Sequence, residues 1–109
     1  MAFIRPARFI GVECPTSPGA IYTVPVNTRV IIKSIDIANN GSGAAAVTLW
    51  LVPSGGSAGA DTLLIPTVSI AKNTIFQWTG TQVLHAAGAI HADTDISGVT
   101  ITVSGGEYI

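Results

Sequence analysis

Apolar and polar residues alternate with period two along much of this chain, and turn-forming residues interrupt the alternation at short intervals. The alternation is cleanest in the segment 99–104, where Val99, Ile101 and Val103 are separated by Thr and Ser residues. Because successive side chains of a strand point to opposite faces, this pattern predicts a half-buried strand. No segment shows helical periodicity. The chain is therefore predicted to be all-β.

Two other segments alternate less cleanly. In 29–39, isoleucines are expected to share one face opposite polar residues: Ile31, Ile35 and Ile37 against Ser34 and Asp36. Val30 and Ile32 interrupt that pattern, so both faces are expected to be covered there. In 47–52 the two predicted faces are both largely apolar: Val47, Leu49 and Leu51 against Thr48, Trp50 and Val52. A strand with two apolar faces needs a cover on each side.

Further strands are predicted between turn signals rich in Gly, Pro, Asn and Ser: Arg8–Glu13, Ala20–Val24, Thr67–Ala71, Thr74–Trp78, Gln82–His85 and Ala89–Asp93. Thr79–Thr81 is predicted as a turn, and Asp61–Leu64 as one helical turn at most. Eight or nine strands at this spacing predict a single β-sandwich, jelly-roll-like, of about eight strands. Residues 1–19 are predicted as an extended N-terminal arm and residues 20–109 as the sandwich. Such an arm docks onto a neighbouring subunit or packs along its own domain.

Charge is sparse. The sequence holds 11 charged residues among 109, whereas an average composition would supply about 27. A free monomer of this mass exposes roughly 5,700 Å², so its surface would carry about one charge per 500 Å² and is expected to self-associate. The net charge of -1 and the scattered basic residues predict no nucleic-acid binding. The longest apolar runs, Ala44–Val47 and Leu49–Val52, predict no membrane span. No signal peptide is recognised, so assembly in a cytoplasm is expected.

Two motifs imitate known sites. Gly55–Gly59 matches the nucleophile-elbow pattern G-x-S-x-G, but that elbow requires a strand turning into a helix inside a large α/β sheet. Asp93–Gly98 matches the first half of a calcium loop, although Ser104 stands where the closing glutamate belongs. The first is predicted to be a flexible turn within the loop 53–60, and the second a turn in which Asp side chains cap backbone amides.

Metal-ligand residue types also occur in series. His91, Asp93 and Asp95 are two apart, which would place them on one strand face, and His85 could approach from a neighbouring strand. The alternate residues Ile90, Ala92 and Ile96 are apolar and explain the pattern as a core face with a polar outer face. Cys14 is the single cysteine, so neither an internal disulfide nor a thiolate zinc site can form, and it is predicted to be a small half-buried residue. No catalytic, metal or cofactor site is predicted.

The aromatic residues Tyr22, Trp50, Phe76 and Trp78 have two interpretations. Phe76 and Trp78 would share a strand face and could stack against a sugar ring. Packing in the core or at a subunit interface accounts for them as well, because aromatic residues are enriched in both places.

Several blocks in order resemble small virion structural proteins of tailed bacteriophages, of the capsid decoration, cement or tail-associated type: Ile21–Pro25, Lys33–Asn40, Leu51–Gly56 and Gln77–Gly80. The resemblance covers about residues 20–104. It implies a small β-sandwich that oligomerises and binds a virion lattice without enzymatic activity.

The predicted function is therefore structural: a phage capsid decoration or cement protein, located in the virion. Its expected partners are further copies of itself, often as a trimer in such proteins, and the major capsid protein or other virion proteins. The segments 2–8 and 53–59 are the expected contact elements. The alternatives are a tail, neck or baseplate component, or a carbohydrate-binding module that uses Trp50 or Trp78.

Overall fold

The computed structural model describes the backbone of residues 4–108 and the side chains of residues 11–107. This part of the chain consists of strands joined by turns and loops. The eight strands are β1 (Ile4–Glu13), β2 (Gly19–Thr23), β3 (Arg29–Asn39), β4 (Ala45–Val52), β5 (Leu63–Ile70), β6 (Thr74–Leu84), β7 (Ala89–Thr94) and β8 (Val99–Tyr108).

The strands form two antiparallel sheets of four. The first sheet has the order β1-β8-β3-β6, and the second sheet has the order β2-β7-β4-β5. The pairs β1·β8, β2·β7, β3·β6 and β4·β5 are nested, as if one long hairpin had been rolled up. This is the strand order of an eight-stranded jelly roll. The predicted all-β, jelly-roll-like sandwich is confirmed.

The core lies between the sheets and is built from their inward-facing aliphatic side chains. Each sheet contributes alternate residues, as the period of a strand requires. The largest buried apolar side chains are Ile32, Ile35, Ile37, Leu49, Ile90 and Ile101, with Val24, Val30, Val47, Val99 and Val103. The prediction for β8 is correct, since Val99, Ile101 and Val103 are all buried. The described part of the chain contains no helix long and apolar enough to cross a membrane.

The predicted face of β3 is wrong at its first half. Val30 and Ile32 are buried together with Ile35 and Ile37, whereas Ile31 is only half-buried. The reason is an irregularity at Lys33: Ile32 pairs with Gly105 and Ser34 with Ser104, so Lys33 is an extra residue relative to β8. A bulge of this kind exchanges the faces of the residues on either side of it.

The turn predicted at Thr79–Thr81 is also wrong, because β6 continues without a break from Thr74 to Leu84. Gly80 and Thr81 lie opposite Lys33, where the register between β3 and β6 shifts. The Trp78 ring lies so close over Gly80 that an added Cβ would be 3.0 Å from it. Gly80 is therefore explained by the space that the Trp78 ring needs and does not form a turn. The helical turn considered at Asp61–Leu64 does not form, and Leu63 begins β5.

Part of the segment predicted as an arm belongs to the first sheet. Residues 4–13 form β1, which pairs antiparallel with β8 from Ile4↔Tyr108 to Glu13↔Thr100. The backbone N–H of Cys14 then donates to the Val99 carbonyl at 2.7 Å. This arrangement matches the alternative in which the segment packs along its own domain. Residues 2 and 3 of the predicted contact segment 2–8, and the side chains of its other residues, lie outside the described part of the chain.

Candidate assembly surface

The jelly roll has four edge strands, two in each sheet. They are β1 and β6 in the first sheet and β2 and β5 in the second. An edge strand presents a row of unpaired backbone N–H and C=O groups, which pair readily with another strand unless something prevents it. Proteins prevent this pairing with charges, prolines, bulges or short strands. The four edges can therefore be compared by the devices that each one carries.

Three of the edges carry such devices. The β1 sequence contains Arg5, Pro6, Arg8 and Glu13, and its register shifts between Arg8 and Ile10. The β2 strand is only five residues long and has a register shift of its own. The β5 strand contains Pro66, and its register against β4 shifts twice. Each of these edges is a poor template for a further strand.

The β6 edge differs from the other three. Its 11 residues contain no charged residue and no proline, and its register shift at Gly80–Thr81 leaves the stretch from Thr74 to Thr79 regular. Ile75 is 67% exposed and Val83 is 47% exposed. Within residues 4–108, no strand pairs with the side of β6 that faces away from β3. This long, uncharged edge is the feature of the surface that is best suited to pairing with another chain.

Next to β6, the outer face of the first sheet is covered with hydroxyl groups. The Ser34 and Ser104 hydroxyls are hydrogen-bonded at 2.7 Å, and the Lys33 Nζ donates to the Thr81 hydroxyl at 2.8 Å. The carboxylate of Asp36 also lies on this face, opposite Gln77 in the register. One of its oxygens is buried and has no hydrogen-bond partner among the described residues. The face is thus polar but carries little charge.

The glycine-rich loop 53–59, predicted as a contact element, joins β4 to β5 and is mostly exposed. The Thr62 hydroxyl accepts from the Gly59 N–H at 2.9 Å and has the Ser57 and Gly59 carbonyls within reach of its one proton, at 3.1 and 3.2 Å. Within the loop, the Gly56 N–H donates to the Pro53 carbonyl at 2.9 Å. The motif G-x-S-x-G therefore lies in a strand-to-strand loop. The strand-to-helix geometry that a nucleophile elbow requires is not present there.

The residues of metal-ligand type that the sequence places in series are only partly brought together. His91 and Asp93 lie half-buried on β7 and share the outer face of the second sheet. His85 is exposed after β6, which belongs to the first sheet, so the expected approach from a neighbouring strand does not occur. Among the residues that the structure describes, no three His, Cys, Asp or Glu side chains are grouped closely enough to hold a metal ion.

The acidic residues at the β7–β8 end bind backbone amides instead. Asp95 Oδ1 accepts a hydrogen bond from the Ala46 N–H at 2.9 Å, and Glu13 Oε2 accepts one from the Gly98 N–H at 3.3 Å. Gly98 has a φ of 91°, and an added Cβ would clash with Gly41. The segment 93–98 thus closes a tight turn against the β3–β4 loop. Asp95 was expected to cap a local amide, and it instead accepts from an amide of β4 that is distant in the sequence.

The aromatic residues lie in two different settings. Tyr22, Phe76 and Trp78 are partly buried and pack against the core. Trp50 is half-exposed on the outer face of the second sheet, opposite His91 on one side and Leu63 on the other. Phe76 and Trp78 share a face of β6, as predicted, and that face points inward. Of the two tryptophans, Trp50 is the one on an open sheet face.

Cys14 is buried, with 2% of its surface exposed. Burial, with a smaller contribution from the charge of Asp93, raises the pKa of its thiol to about 12. A thiol with this pKa is protonated near neutral pH and reacts slowly, because the thiolate is the nucleophile. The residue is more fully buried than predicted.

The β6 edge was not found by reasoning from the sequence. Its residues read as two short strands and a turn, because Gly80 resembles a turn signal. Even with the strand recognised, its position at an edge depends on pairing with β3, which is distant in the sequence. The absence of charge and proline in 74–84 is the signal that is visible in the sequence once the edge is known.

Three solved structures with a similar fold come from a virus, a viral particle and spore appendages. The chain aligns over 99% of its length with a chain in the structure of infectious bursal disease virus, Gx strain, at a TM-score of 0.56 and 10% identity. It aligns over 98% of its length with a chain from Bacillus endospore appendages, described as disulfide-linked pili, at a TM-score of 0.54 and 13% identity. It also aligns over 98% of its length with a chain of the T13 infectious bursal disease virus particle, at a TM-score of 0.52 and 6% identity.

The lengths of these chains differ. This chain spans 32% and 34% of the two viral chains and 87% of the appendage chain. At such low identities the likeness shows a shared fold. No protein-family model matches this chain, and a search of curated proteins gives no match.

Proposed function

We propose that this chain is a non-enzymatic structural subunit of a virion, and specifically a capsid decoration or cement protein of a tailed bacteriophage. In this role it assembles with copies of itself and binds the major capsid protein or other virion proteins. The observation that carries the proposal is a jelly roll with a solvent-accessible surface of 5684 Å² whose whole sequence contains only 11 charged residues.

The sparse charge of this chain favours contact with neighbouring subunits. A monomer of this size with average composition would carry more than twice as many charges, and its charges would keep it dispersed. A surface with about one charge per 500 Å² is more stable when a neighbour covers it. A standard protein interface removes about 800 Å² from each partner, so two or three such contacts would cover a large part of this small domain.

The fold agrees with an assembly role. Eight-stranded jelly rolls occur in viral capsid and lectin domains, and the similar solved structures come from a virus and from spore appendages. Fold alone does not assign function. The proposal therefore depends on the surface, and the order of the sequence blocks that resemble phage decoration proteins directs it to the phage capsid.

The experiment is immunogold electron microscopy on the natural material. Antibodies raised against the purified chain are applied to particles and filaments released from the producing cells. Label on heads is expected. Label on phage tails would contradict the decoration role and support a tail, neck or baseplate component. Label on filaments that are not phage would contradict the virion role. Particles without label would contradict it as well.

Light scattering on the purified protein gives an independent test of the assembly role. A homo-oligomer is expected at micromolar concentration. A stable monomer at high concentration would contradict self-assembly. The deletion of residues 2–8 is a poor test, because it would remove half of β1 from the first sheet and would disturb the fold together with any contact.

Trp50 favours a second candidate, a carbohydrate-binding module. Its ring lies half-exposed on a sheet face, in the position from which an indole can stack on a sugar ring. A glycan that quenches or shifts tryptophan fluorescence, with the response lost in Trp50→Ala and kept in Trp78→Phe, would support this function. An unchanged spectrum across a glycan panel would exclude stacking at Trp50.

A further inference from the structure

We propose that the free edge of β6 pairs antiparallel with β6 of a second copy of this chain, with Gln77 on the two-fold axis. The proposal identifies the self-contact of the assembly subunit described above, and it rests on that role. It follows from the contrast among the edges, because β6 alone among the four described edges is long and has neither charge nor proline.

The regular part of β6 determines where the axis lies. From Thr74 to Thr79 the strand pairs with β3 without interruption, and the irregularity at Gly80–Thr81 follows. A new strand extends a sheet best along a regular stretch, since a bulge twists the edge away. The axis is therefore expected within residues 74–79.

Side-chain pairing selects Gln77 within that stretch. Antiparallel partners directly opposite each other point to the same face. With Gln77 on the axis, Phe76 of each copy lies opposite Trp78 of the other on the inward face. Cross-strand aromatic pairs of this kind are among the favourable ones. On the outward face, exposed Ile75 lies opposite Thr79.

The second copy is the occupant that this edge fits best. A strand of a charged partner would find no opposite charge on β6, whereas an identical uncharged strand opposes no like charges. Self-pairing would also cover Phe76 and Trp78, which are only half-buried in the single chain. The two first sheets would then join into one continuous eight-stranded sheet, and both free β6 edges would be removed.

Disulfide trapping tests the axis directly. Residues opposite each other across antiparallel strands have Cα atoms roughly 4.5–5.5 Å apart, which is within the range that a disulfide bridges. The variant Gln77→Cys is expected to form a covalent dimer under mild oxidation, visible on non-reducing gels. The native Cys14 does not interfere, because it is buried and protonated.

Two cysteine variants provide the controls. Position 79 lies on the same strand and the same face as position 77. In the proposed dimer, Thr79 of one chain lies opposite Ile75 of the other, so the two cysteines of Thr79→Cys would be far apart along the paired strands and little covalent dimer is expected. Thr100→Cys is exposed on the same face of the sheet, two strands away on β8. If Gln77→Cys gives no more dimer than Thr100→Cys, self-pairing at β6 is overturned. Stronger trapping by Thr79→Cys would overturn the Gln77 axis.

A charge at the axis gives the second test. In Gln77→Lys two ammonium groups would face each other across the two-fold, so the dissociation constant for self-association is expected to rise at least tenfold. Circular dichroism should stay the same, and so should the urea midpoint measured at a concentration where both proteins are monomeric, since Gln77 is exposed in the single chain. Thr100→Lys adds the same charge to the same face away from the edge. An equal loss in Thr100→Lys would place the contact on the sheet face and overturn the proposal.

The combined results separate the edge from the wider function. An oligomer by light scattering without Gln77→Cys trapping would overturn the β6 contact and leave the assembly role standing. Trapping together with unlabelled phage particles would support the contact and contradict the virion role. A monomer at all concentrations would contradict both.

Discussion

The strands β3 and β6 are both 11 residues long and lie side by side in the first sheet, paired from Val30↔Leu84 to Asn39↔Thr74. Both are rich in β-branched residues. Yet β3 has a neighbour on each side and buries alternate side chains, while β6 has one described neighbour and only Leu84 is fully buried. Burial here follows the position of a strand in the sheet more closely than its composition. Substitutions in β3 should therefore change stability, and those in β6 should change assembly.

The largest contrast is expected between two isoleucines in the two strands. Ile35 on β3 is completely buried, and Ile75 on β6 is 67% exposed. Ile35→Ala should lower the free energy of unfolding by about 4 kcal/mol, because it leaves a cavity between the sheets. Ile75→Ala should lower it by less than about 0.5 kcal/mol. Urea unfolding measures both, and similar losses would show that the β6 edge is covered in the free chain.

The strand ends give the next contrast. Asn39 is 2% exposed; its amide donates to the Gly43 and Ile70 carbonyls at 2.8 and 2.9 Å and accepts from the Gly41 N–H. Its partner in the register, Thr74, is exposed and donates to the Ala71 carbonyl. Asn39→Ala should cost about 3 kcal/mol, since buried groups lose their partners. Thr74→Ala should cost less than about 1 kcal/mol. An Asn39→Ala variant as stable as Thr74→Ala would contradict this assignment.

The third contrast concerns the bulge at Lys33, which exchanges the buried and exposed faces of β3 on either side of it. Gly105 on β8 lies against this bulge, where an added Cβ would overlap the Ile31 carbonyl oxygen. Gly105→Ala should therefore lower the unfolding free energy by about 2 kcal/mol. Gly43→Ala is the control, because nothing lies within 4 Å of its added Cβ. Thermal melts that do not separate the two variants would mean that the bulge adjusts freely.

The smallest effect is a difference in thiol reactivity and its dependence on pH. At pH 8, Cys14 should react with a thiol reagent only through unfolding, whereas a cysteine at position 77 should react at once.

Because burial raises the pKa of Cys14 to about 12, the unfolded thiol ionises first as pH rises above the ordinary value of 9.0. The stability contribution of the protonated thiol is thus complete below about pH 9 and lost towards pH 12. The stability of Cys14→Ala should decline less over that range; parallel curves would contradict the shift.

Much of the fold was predictable from local pattern. The bounds of β3 and the buried face of β8 follow from alternation between turn residues, and the number of strands indicated a jelly-roll-like sandwich. Errors arose where two strands had to fit each other. The bulge at Lys33 reverses the face of Ile31. Gly80 was expected in a turn, but it lies inside β6, where it leaves space for the ring of Trp78. Both depend on residues far away in the sequence.

The sequence by itself determined that this chain is a charge-poor β-sandwich, because composition and period-two alternation are local properties. The tertiary structure decided which strands are edges, and so identified the stretch from Thr74 to Thr79 of β6 as the long edge without charge, proline or bulge. It placed residues 4–13 beside β8 and left Trp50 on an open sheet face. The physical reason is that an edge exists only relative to a sheet. The order of strands in a sheet is set by long-range hydrogen bonding and core packing, which no short stretch of residues encodes.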